Sequence, residues 1–495
     1  MYYIGYDLGS SSIKAALVDS NSGKSAGITQ YPEQEMAILS VEPGWAEQDP
    51  DLWWFYICEV TQKLLLKTGI KADKIKGIGI SYQMHGLVVI DRNHTVLRPS
   101  IIWCDSRAVS IGDKTFQGVG EDKCITNLLN SPGNFTISKL RWIKDNEPGL
   151  FDRIYKFLLP GDYIALKLTG EATTTISGLS EGIMWDYKQN QPANWLFDYM
   201  DISTDLIPTL VPTFSHQGTL TKETAAEIGL PVGIPLLYRA GDQPNNALSL
   251  NVLQPGEIAA TGGTSGVVYA ITDSTKTKES LRINNFAHVN YTKERPRIGK
   301  LLNINGAGIQ YSWLKKNIAL SSDTYEHMND MASNVPVGSD GLCIIPFGNG
   351  AERMLNNQNK GASVFNLNFN RHKKEHLYRA GLEGIAFSFV YGIDILKNDG
   401  VNLESIKAGN DNLFRSEIFS NTIATLVSTE INIIDTTGAV GAARAAGVSK
   451  GDFESLEEIF SADEQVMTYR PLNERQVFIE AYNLWKNDLE NSYNN

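Results

Sequence analysis

The sequence predicts an α/β protein of two large lobes, each a mixed sheet flanked by helices, with a cleft between them. Three observations predict it. The chain has 495 residues, more than one hydrophobic core organises, so two large domains are expected. A tight turn of Gly, Ser and Thr between apolar strand residues occurs twice, once in each half. Around both copies, short apolar strands alternate with longer helical stretches. The division is expected near residue 250, giving lobes 1–250 and 251–495.

The first turn lies in Tyr3-Ile4-Gly5-Tyr6-Asp7-Leu8-Gly9-Ser10-Ser11-Ser12-Ile13-Lys14. The second lies in Ile258-Ala259-Ala260-Thr261-Gly262-Gly263-Thr264-Ser265-Gly266-Val267-Val268-Tyr269. Such a turn lets the backbone approach an anion and points N–H and hydroxyl donors at it. Ser10, Ser11, Ser12, Lys14, Gly263 and Thr264 are therefore candidate phosphate contacts. Two copies suggest two lobes gripping one nucleotide.

The first half reads as follows. Tyr2 to Tyr6 and Ile13 to Val18 form a hairpin around the first turn. A helix is expected from Leu52 to about Leu66, with Asp49 as its cap and Pro50 at its first position. Ile75 to Ser81 is a buried strand ending at Gln83-Met84-His85-Gly86. Val88 to Asp91 and Thr95 to Pro99 are expected to pair as a second hairpin. Ile101 to Arg107 leads into helical sequence.

In the second half, Pro235 to Ala240 is a strand ending at Gly241-Asp242-Gln243-Pro244, with a helix from about Asn245 to Leu250. Long helices are expected at Ala307 to Asn317, Glu375 to Lys397 and Arg415 to Ser428. Gly438 to Gly447 is a helix of small residues. It suits close helix packing at a hinge between lobes, or an ordinary buried helix.

A hydrophobic content of 42% and a charged content of 20% are those of a globular protein. The net charge of −12 argues against nucleic acid or an anionic membrane as partner. An anionic ligand must be held by local donors. The four cysteines are far apart and form no C-x-x-C pair, so no disulfide framework is read. No signal peptide or membrane span is read, and the expected setting is soluble and cytoplasmic.

Other nucleotide motifs fail. No G-x-x-x-x-G-K-[ST] is present, because Val18 stands where Gly23-Lys24-Ser25 would need its leading glycine. Gly77-Ile78-Gly79-Ile80-Ser81-Tyr82 ends in Tyr where a dinucleotide fingerprint needs its third glycine. His372-Lys373-Lys374-Glu375-His376 fits H-x-x-E-H, but reads as a solvated helix start.

Taken together in order and spacing, several segments resemble the FGGY carbohydrate kinases, of the actin- and hexokinase-like ATPase superfamily, over nearly the whole chain. Asp7 to Lys14 is similar to the family's first phosphate motif, and Pro43-Gly44-Trp45-Ala46-Glu47-Gln48-Asp49-Pro50 to its P-G-W-x-E-Q-D-P segment. Ala240-Gly241-Asp242-Gln243 resembles the catalytic-aspartate segment, and Gly263-Thr264-Ser265-Gly266 the second phosphate motif. Lys360-Gly361-Ala362 with Arg379-Ala380-Gly381-Leu382-Glu383-Gly384 is similar to the C-terminal signature, which normally has Gly where Asn366 stands. The resemblance implies two actin-like (ribonuclease H-like) ATPase lobes, ATP as co-substrate, Mg²⁺, and a sugar acceptor. It leaves room for a homodimer.

Gln83-Met84-His85-Gly86-Leu87, followed by Leu97 to Arg107, resembles the xylulose-phosphorylating members. The glycerol-phosphorylating members carry an Arg-Glu pair at this turn. Gluconate-phosphorylating members also show Met-His, so a sugar acid or another ketose such as L-ribulose stays open.

A sugar hydroxyl loses its proton during transfer, and a carboxylate in reach accepts it. Asp242 is the candidate base, with a helix cap as its alternative reading. Asp7 is the candidate Mg²⁺ ligand, or an Asx turn. The resemblance places Met84 and His85 against the sugar. Asp105 and Gln243 are secondary candidates for its hydroxyls. Gly306-Ala307-Gly308-Ile309-Gln310 resembles the family's G-A-x-I-Q, placing Gly306 and Gln310 near the ribose or base. Where the family has Gly-Gly and a small residue, this chain has Lys407-Ala408-Gly409-Asn410-Asp411-Asn412. Gly409 and Asn412 are the nucleotide candidates there if the turn is shifted. That departure motivates a competing reading as a non-catalytic sugar sensor. A sugar-independent ATPase acting on proteins is a third reading.

Overall fold

The computed structural model describes residues 1–410, 412–453, 455 and 465–491. Two mixed sheets organise it. The N-terminal sheet runs, edge to edge, Leu236–Gly241, Ile75–Tyr82, Tyr2–Leu8, Ile13–Asp19 and Ser25–Tyr31. Its first three strands are parallel, and the last two extend it by antiparallel hairpins. The C-terminal sheet contains Ile298–Ile304, Gly266–Thr272, Glu257–Gly262, Ser405–Gly409 and Ile431–Ile434 in that order, with Asn284–Ala287 and Gln465–Tyr469 at its edges. The same pairing recurs: two antiparallel steps, then two parallel ones. The duplication seen in the two turns thus extends to five strands of each sheet.

Alternation along Tyr2–Leu8 gives the N-terminal sheet two different faces. Ile4, Tyr6 and Leu8 pack against Trp53, Ile57 and Leu64 of helix Pro50–Thr68. The Tyr6 hydroxyl meets Thr61 Oγ1 at 2.7 Å. That helix begins at Pro50, with Asp49 accepting from the Asp51 N–H, and ends at Gly69 in the left-handed region. The opposite face carries Tyr3 and Gly5 and receives helix Gly438–Lys450 from the C-terminal half.

This second contact is unusually close. A Cβ on Gly5 would lie 2.0 Å from the Ala439 carbonyl oxygen, and one on Gly79 would lie 2.0 Å from that of Ala442. The small-residue helix therefore packs backbone to backbone on a sheet. It also meets helix Asp242–Ser249, where a Cβ on Gly441 would lie 1.8 Å from Ser249 Oγ. Helix Gly438–Lys450 so crosses the division near residue 250 expected from sequence.

Two local expectations change. Val88–Ile90 pairs with Lys156–Leu158, not with the segment after the turn, and only an isolated bridge joins Ile90 to Val96. The better partner is distant in sequence, and Pro99 lacks an N–H for a ladder. The helix expected from Asn245 begins at Asp242 instead, with Gly241 as N-cap. Pro244 falls in its first turn, where a missing N–H costs nothing. The helices Gly308–Asn317, Lys374–Asn398 and Glu417–Val427 stand within two residues of expectation. No helix among the described residues is long and apolar enough to cross a membrane.

The glycine contact is testable. Gly5→Ala is expected to lower stability by about 2 kcal/mol or more through overpacking. Gly149→Ala, with nothing within 4 Å of the new Cβ, is expected to stay within about 0.5 kcal/mol of wild type. Urea melts of the two variants check this, and equal stabilities would contradict it.

Candidate active site

The three parallel strands of the N-terminal sheet end in register. Leu8 pairs with Tyr82, and Tyr82 with Gly241. Their carboxyl ends therefore deliver Asp7, the Gln83–Gly86 turn and Asp242 to one edge, the usual ligand edge of an open parallel sheet.

Asp7 stands opposite Lys14 across the first hairpin. Its Oδ1 accepts from Ser81 Oγ at 2.8 Å. Its Oδ2 lies 2.6 Å from where a Cβ on Gly438 would be, so only glycine lets that helix N-terminus come down on the carboxylate. The positive helix end suits an anion. Burial pushes the Asp7 carboxyl up, opposed by the Ser81 hydrogen bond and the Lys14 charge. The turn closes with the Gly9 N–H on the Ser12 carbonyl at 3.1 Å. Gln48 Nε2 donates to the Ser10 carbonyl at 2.7 Å, and the Met36 N–H to that of Ser11 at 2.8 Å.

Asp242 is the first residue of its helix, and burial, then the Asp7 charge, push its carboxyl up to about 7. Hydrogen bonds from Gln243 oppose the shift. The same helix touches both halves. Asn245 Nδ2 donates to the Gly438 carbonyl at 2.9 Å, and Asn246 Nδ2 to Thr261 Oγ1 at 3.1 Å. Thr261 leads into the second glycine turn, so Asp242 is fixed relative to both.

The Gln83–Gly86 turn is held from behind. Gln83 N–H donates to the Leu8 carbonyl at 2.7 Å, and Gln83 Nε2 to Gln48 Oε1 at 3.1 Å. Gln48 thus joins the first turn to this one. His85 has a φ of 64°, a left-handed conformation that needs outside support. Glu181 supplies it. The His85 N–H donates to Glu181 Oε1 at 3.3 Å, and Nδ1 lies 2.9 Å from the Glu181 carbonyl oxygen. A carbonyl only accepts, so Nδ1 carries the hydrogen and Nε2 is the acceptor. Burial, then the Lys139 charge, hold His85 down to about 3, so it is neutral. Lys139 Nζ donates to the His85 and Ile102 carbonyls, each at 2.9 Å. The ring contacts Phe135 at 4.8 Å and, from the C-terminal half, Phe286 at 5.2 Å. Met84 is buried behind Gly241, where a Cβ would lie 2.5 Å from Met84 Cγ and 2.4 Å from Glu181 Oε2. Burial raises Glu181 far above the usual carboxylate range.

Asp105 is not free for a ligand. Its Oδ2 accepts from the Ala46 N–H at 2.6 Å, and both oxygens accept from Arg107, at 2.7 to 3.0 Å. Arg107 in turn stacks 3.8 Å from the Trp45 ring and 4.8 Å from that of Trp142. Asp105 braces these loops rather than facing the edge that carries Asp242.

On the C-terminal side, Gly262 pairs with Gly266 around the turn containing Gly263 and Thr264. Helix Gly308–Asn317 abuts it, with the Ile309 N–H on the Thr264 carbonyl at 2.9 Å. A Cβ on Gly308 would lie 2.2 Å from the Gly263 carbonyl oxygen. Gly306 is gripped by Glu352, whose carboxylate accepts from the Gly306 and Asn305 N–H groups at 2.8 and 2.9 Å. Gln310 sits over Gly381, with its Oε1 buried and unpartnered. Lys407 and Ala408 lie inside strand Ser405–Gly409, not in a loop. Ala408 is core, and Lys407 donates to the Asn251 carbonyl and pairs with Glu257 at 3.7 Å. The strand runs to Gly409, and the turn follows it. Asn412 opens the short helix Asn412–Arg415, but its side chain and Asp411 lie outside the described residues.

Sequence reading missed Glu181, Lys139, Gln48's bridging role and Glu352. Glu181 stands alone among apolar and small residues, and Lys139 is one of several basic residues on its helix, faint signals that only burial makes informative.

Residues 2–249 match the model of the FGGY family of carbohydrate kinases, N-terminal domain, and residues 258–449 that of its C-terminal domain. The chain is 28% identical to a xylulose kinase of Bacillus subtilis, over 98% of this chain and 96% of that relative. It is also 28% identical to a xylulose kinase of Escherichia coli, over 92% of each. The crystal structure of xylulose kinase from Rhodospirillum rubrum superposes with a TM-score of 0.88 at 25% identity, over 100% of this chain and 99% of that one.

Burial of Asp242 should be visible in stability. Its carboxyl titrates near 7 when folded and near 3.8 when unfolded. Between those values the folded state keeps a proton that the unfolded chain has released, so stability falls as pH rises from 4 to 7. Asp242→Asn removes the penalty. Without divalent cation or ligands, it is expected to be more stable than wild type by about 1–3 kcal/mol at pH 8, and by almost nothing at pH 4. Urea melts at both pH values decide; an equal gain at each would refute the electrostatic origin.

Proposed function

Because the chain belongs to the FGGY family of carbohydrate kinases, we propose that it transfers the γ-phosphate of ATP to the terminal O5 hydroxyl of D-xylulose, giving D-xylulose 5-phosphate and ADP. The observation that carries this reading is the in-register edge that brings Asp7, Met84-His85 and Asp242 together. The names of the relatives support the ketose, as does a turn without the Arg-Glu pair of the glycerol-phosphorylating members.

Asp242 accepts the O5 proton as the new O–P bond forms and the bond from the γ-phosphorus to ADP breaks. His85 Nε2, neutral and unprotonated, accepts a hydrogen bond from a sugar hydroxyl, Met84 covers an apolar face of the chain, and Gln243 offers an amide. Ser10, Ser11, Ser12, Lys14, Gly263 and Thr264 hold the phosphates from the two turns. Gly306, Gln310, Gly409 and Asn412 lie along the adenosine. Gln310 Oε1, buried without a partner, is an acceptor awaiting a donor of that kind.

Two half-buried carboxylates whose charges oppose each other, Asp7 and Asp242, form a donor set that fits Mg²⁺. Asp7 would hold it. The ion supplies screening of phosphate charge when bound. Among the described residues no group of three His, Cys, Asp or Glu side chains gathers as a metal cage, which suits an ion that takes most ligands from phosphate and water. The sensor reading was motivated by Lys407 and Ala408. It loses its footing because both are strand residues and the turn comes only after Gly409.

ADP release with ATP, Mg²⁺ and a panel of ketoses, polyols and sugar acids tests the reading, with D-xylulose expected to be turned over fastest. No ADP with any sugar would overturn it. Asp242→Ala is expected to lose about three or more orders of magnitude in kcat while remaining folded. Near-normal turnover in that variant would remove Asp242 as the base.

A further inference from the structure

A 2-ketopentose closes its furanose ring through O5. A molecule with O5 free for phosphorylation is therefore open-chain and presents a bare C2 carbonyl, an acceptor that needs a donor. Apart from the Gln243 amide, which bonds to Asp242, the groups named at the N-terminal sugar edge offer few free donors. His85 Nε2 accepts, Asp242 accepts its proton, and Lys139 already spends two of its three hydrogens on the His85 and Ile102 carbonyls.

The C-terminal half supplies what is missing. Arg353 directly follows Glu352, whose grip on the Asn305 and Gly306 N–H groups fixes the backbone there. Arg353 Nη2 donates to the Ser280 carbonyl at 3.1 Å. Ser280 leads into strand Asn284–Ala287, and Phe286 of that strand rests 5.2 Å from the His85 ring. The Arg353 side chain is thus tied to the segment that covers the Met84-His85 turn from the other half. Its Nε is buried and has no partner. Among the described residues no carboxylate pairs with it, and burial alone pulls its pKa down to about 10. Its charge also reaches His85. A guanidinium with open N–H groups, desolvated beside a ligand turn, lacks an acceptor.

We propose that Arg353 is a specificity-determining residue that donates to the C2 carbonyl of the open-chain ketose, so that the C-terminal half reads the ketone while the N-terminal half positions O5. This rests on the ketose reading above. It predicts discrimination against alditols, which keep the terminal hydroxyl but replace the carbonyl by a hydroxyl that no longer offers the same acceptor.

The test compares kcat/KM for D-xylulose with that for xylitol and D-arabinitol, the two products of reducing its C2. Wild type should favour the ketose. Arg353→Gln should lose about 10- to 100-fold on the ketose and little on the alditols, collapsing the ratio. The KM for ATP and sugar-independent ATP hydrolysis should stay within about twofold. Arg353→Lys, which keeps the charge but loses the planar pair of donors, should also shrink the ratio, and carries the test if the Gln variant does not fold. A ratio unchanged in a folded Arg353 variant, or a wild type without preference for the ketose over the alditols, would overturn the assignment. Turnover of sugar acids alone by wild type would instead overturn the ketose reading.

Discussion

Helix Gly438–Lys450 lies on the N-terminal sheet with its backbone almost touching the strands beneath, and the rest of the active edge depends on that contact. The approach requires hydrogen at Gly5 and Gly79 and small side chains at Ala439, Ala442, Ala443 and Ala446. Because the helix comes from the C-terminal half, it fastens one half of the chain to the other. Its first residue, Gly438, meets the Asp7 carboxylate, and its carbonyl receives Asn245 from the helix that begins with Asp242. One packing interaction thereby sets where both acids stand and how they lie relative to the second glycine turn.

The electrostatics follow from that placement. Asp7, Asp242 and Glu181 stand close enough for Asp7 to raise Asp242, and for Asp242 to raise Glu181. Lys14 faces Asp7, and the charges of Lys139 and Arg353 reach His85. Isolated buried charges are costly, so this arrangement is held in place by the fold and by hydrogen bonds rather than favoured for its own sake. It is an environment suited to a carboxylate that takes a proton and to a cation bound between phosphate and protein. His85 stays neutral within it, with its hydrogen directed at the Glu181 carbonyl, which leaves Nε2 as an acceptor.

Much of this was legible before folding. The two glycine turns, the strands leading into them and the helix behind Asp49-Pro50 are written in short-range patterns: alternation, caps and turn residues. Asp242 and Asp7 were visible because each follows an apolar strand at a glycine-rich bend. Asp105 looked equally eligible by that standard. Its pairing with Arg107 is local, but the Ala46 N–H and the two tryptophans that stack on Arg107 come from segments distant in sequence. Lys407 and Ala408 looked like a damaged loop, until pairing with Ala259 and Ala260 put them inside a strand.

By itself the sequence determined the class of chemistry and named candidate residues for it. Glycine turns and a strand-end aspartate depend on local backbone geometry, and local geometry is encoded by neighbouring residues. The tertiary structure alone decided which polar groups remain available. Glu181, Lys139 and Arg353 belong to no motif in the sequence, and their meaning lies in what surrounds them after the halves meet. Desolvation and hydrogen-bond saturation are properties of a packed neighbourhood, and such a neighbourhood is assembled from segments hundreds of residues apart.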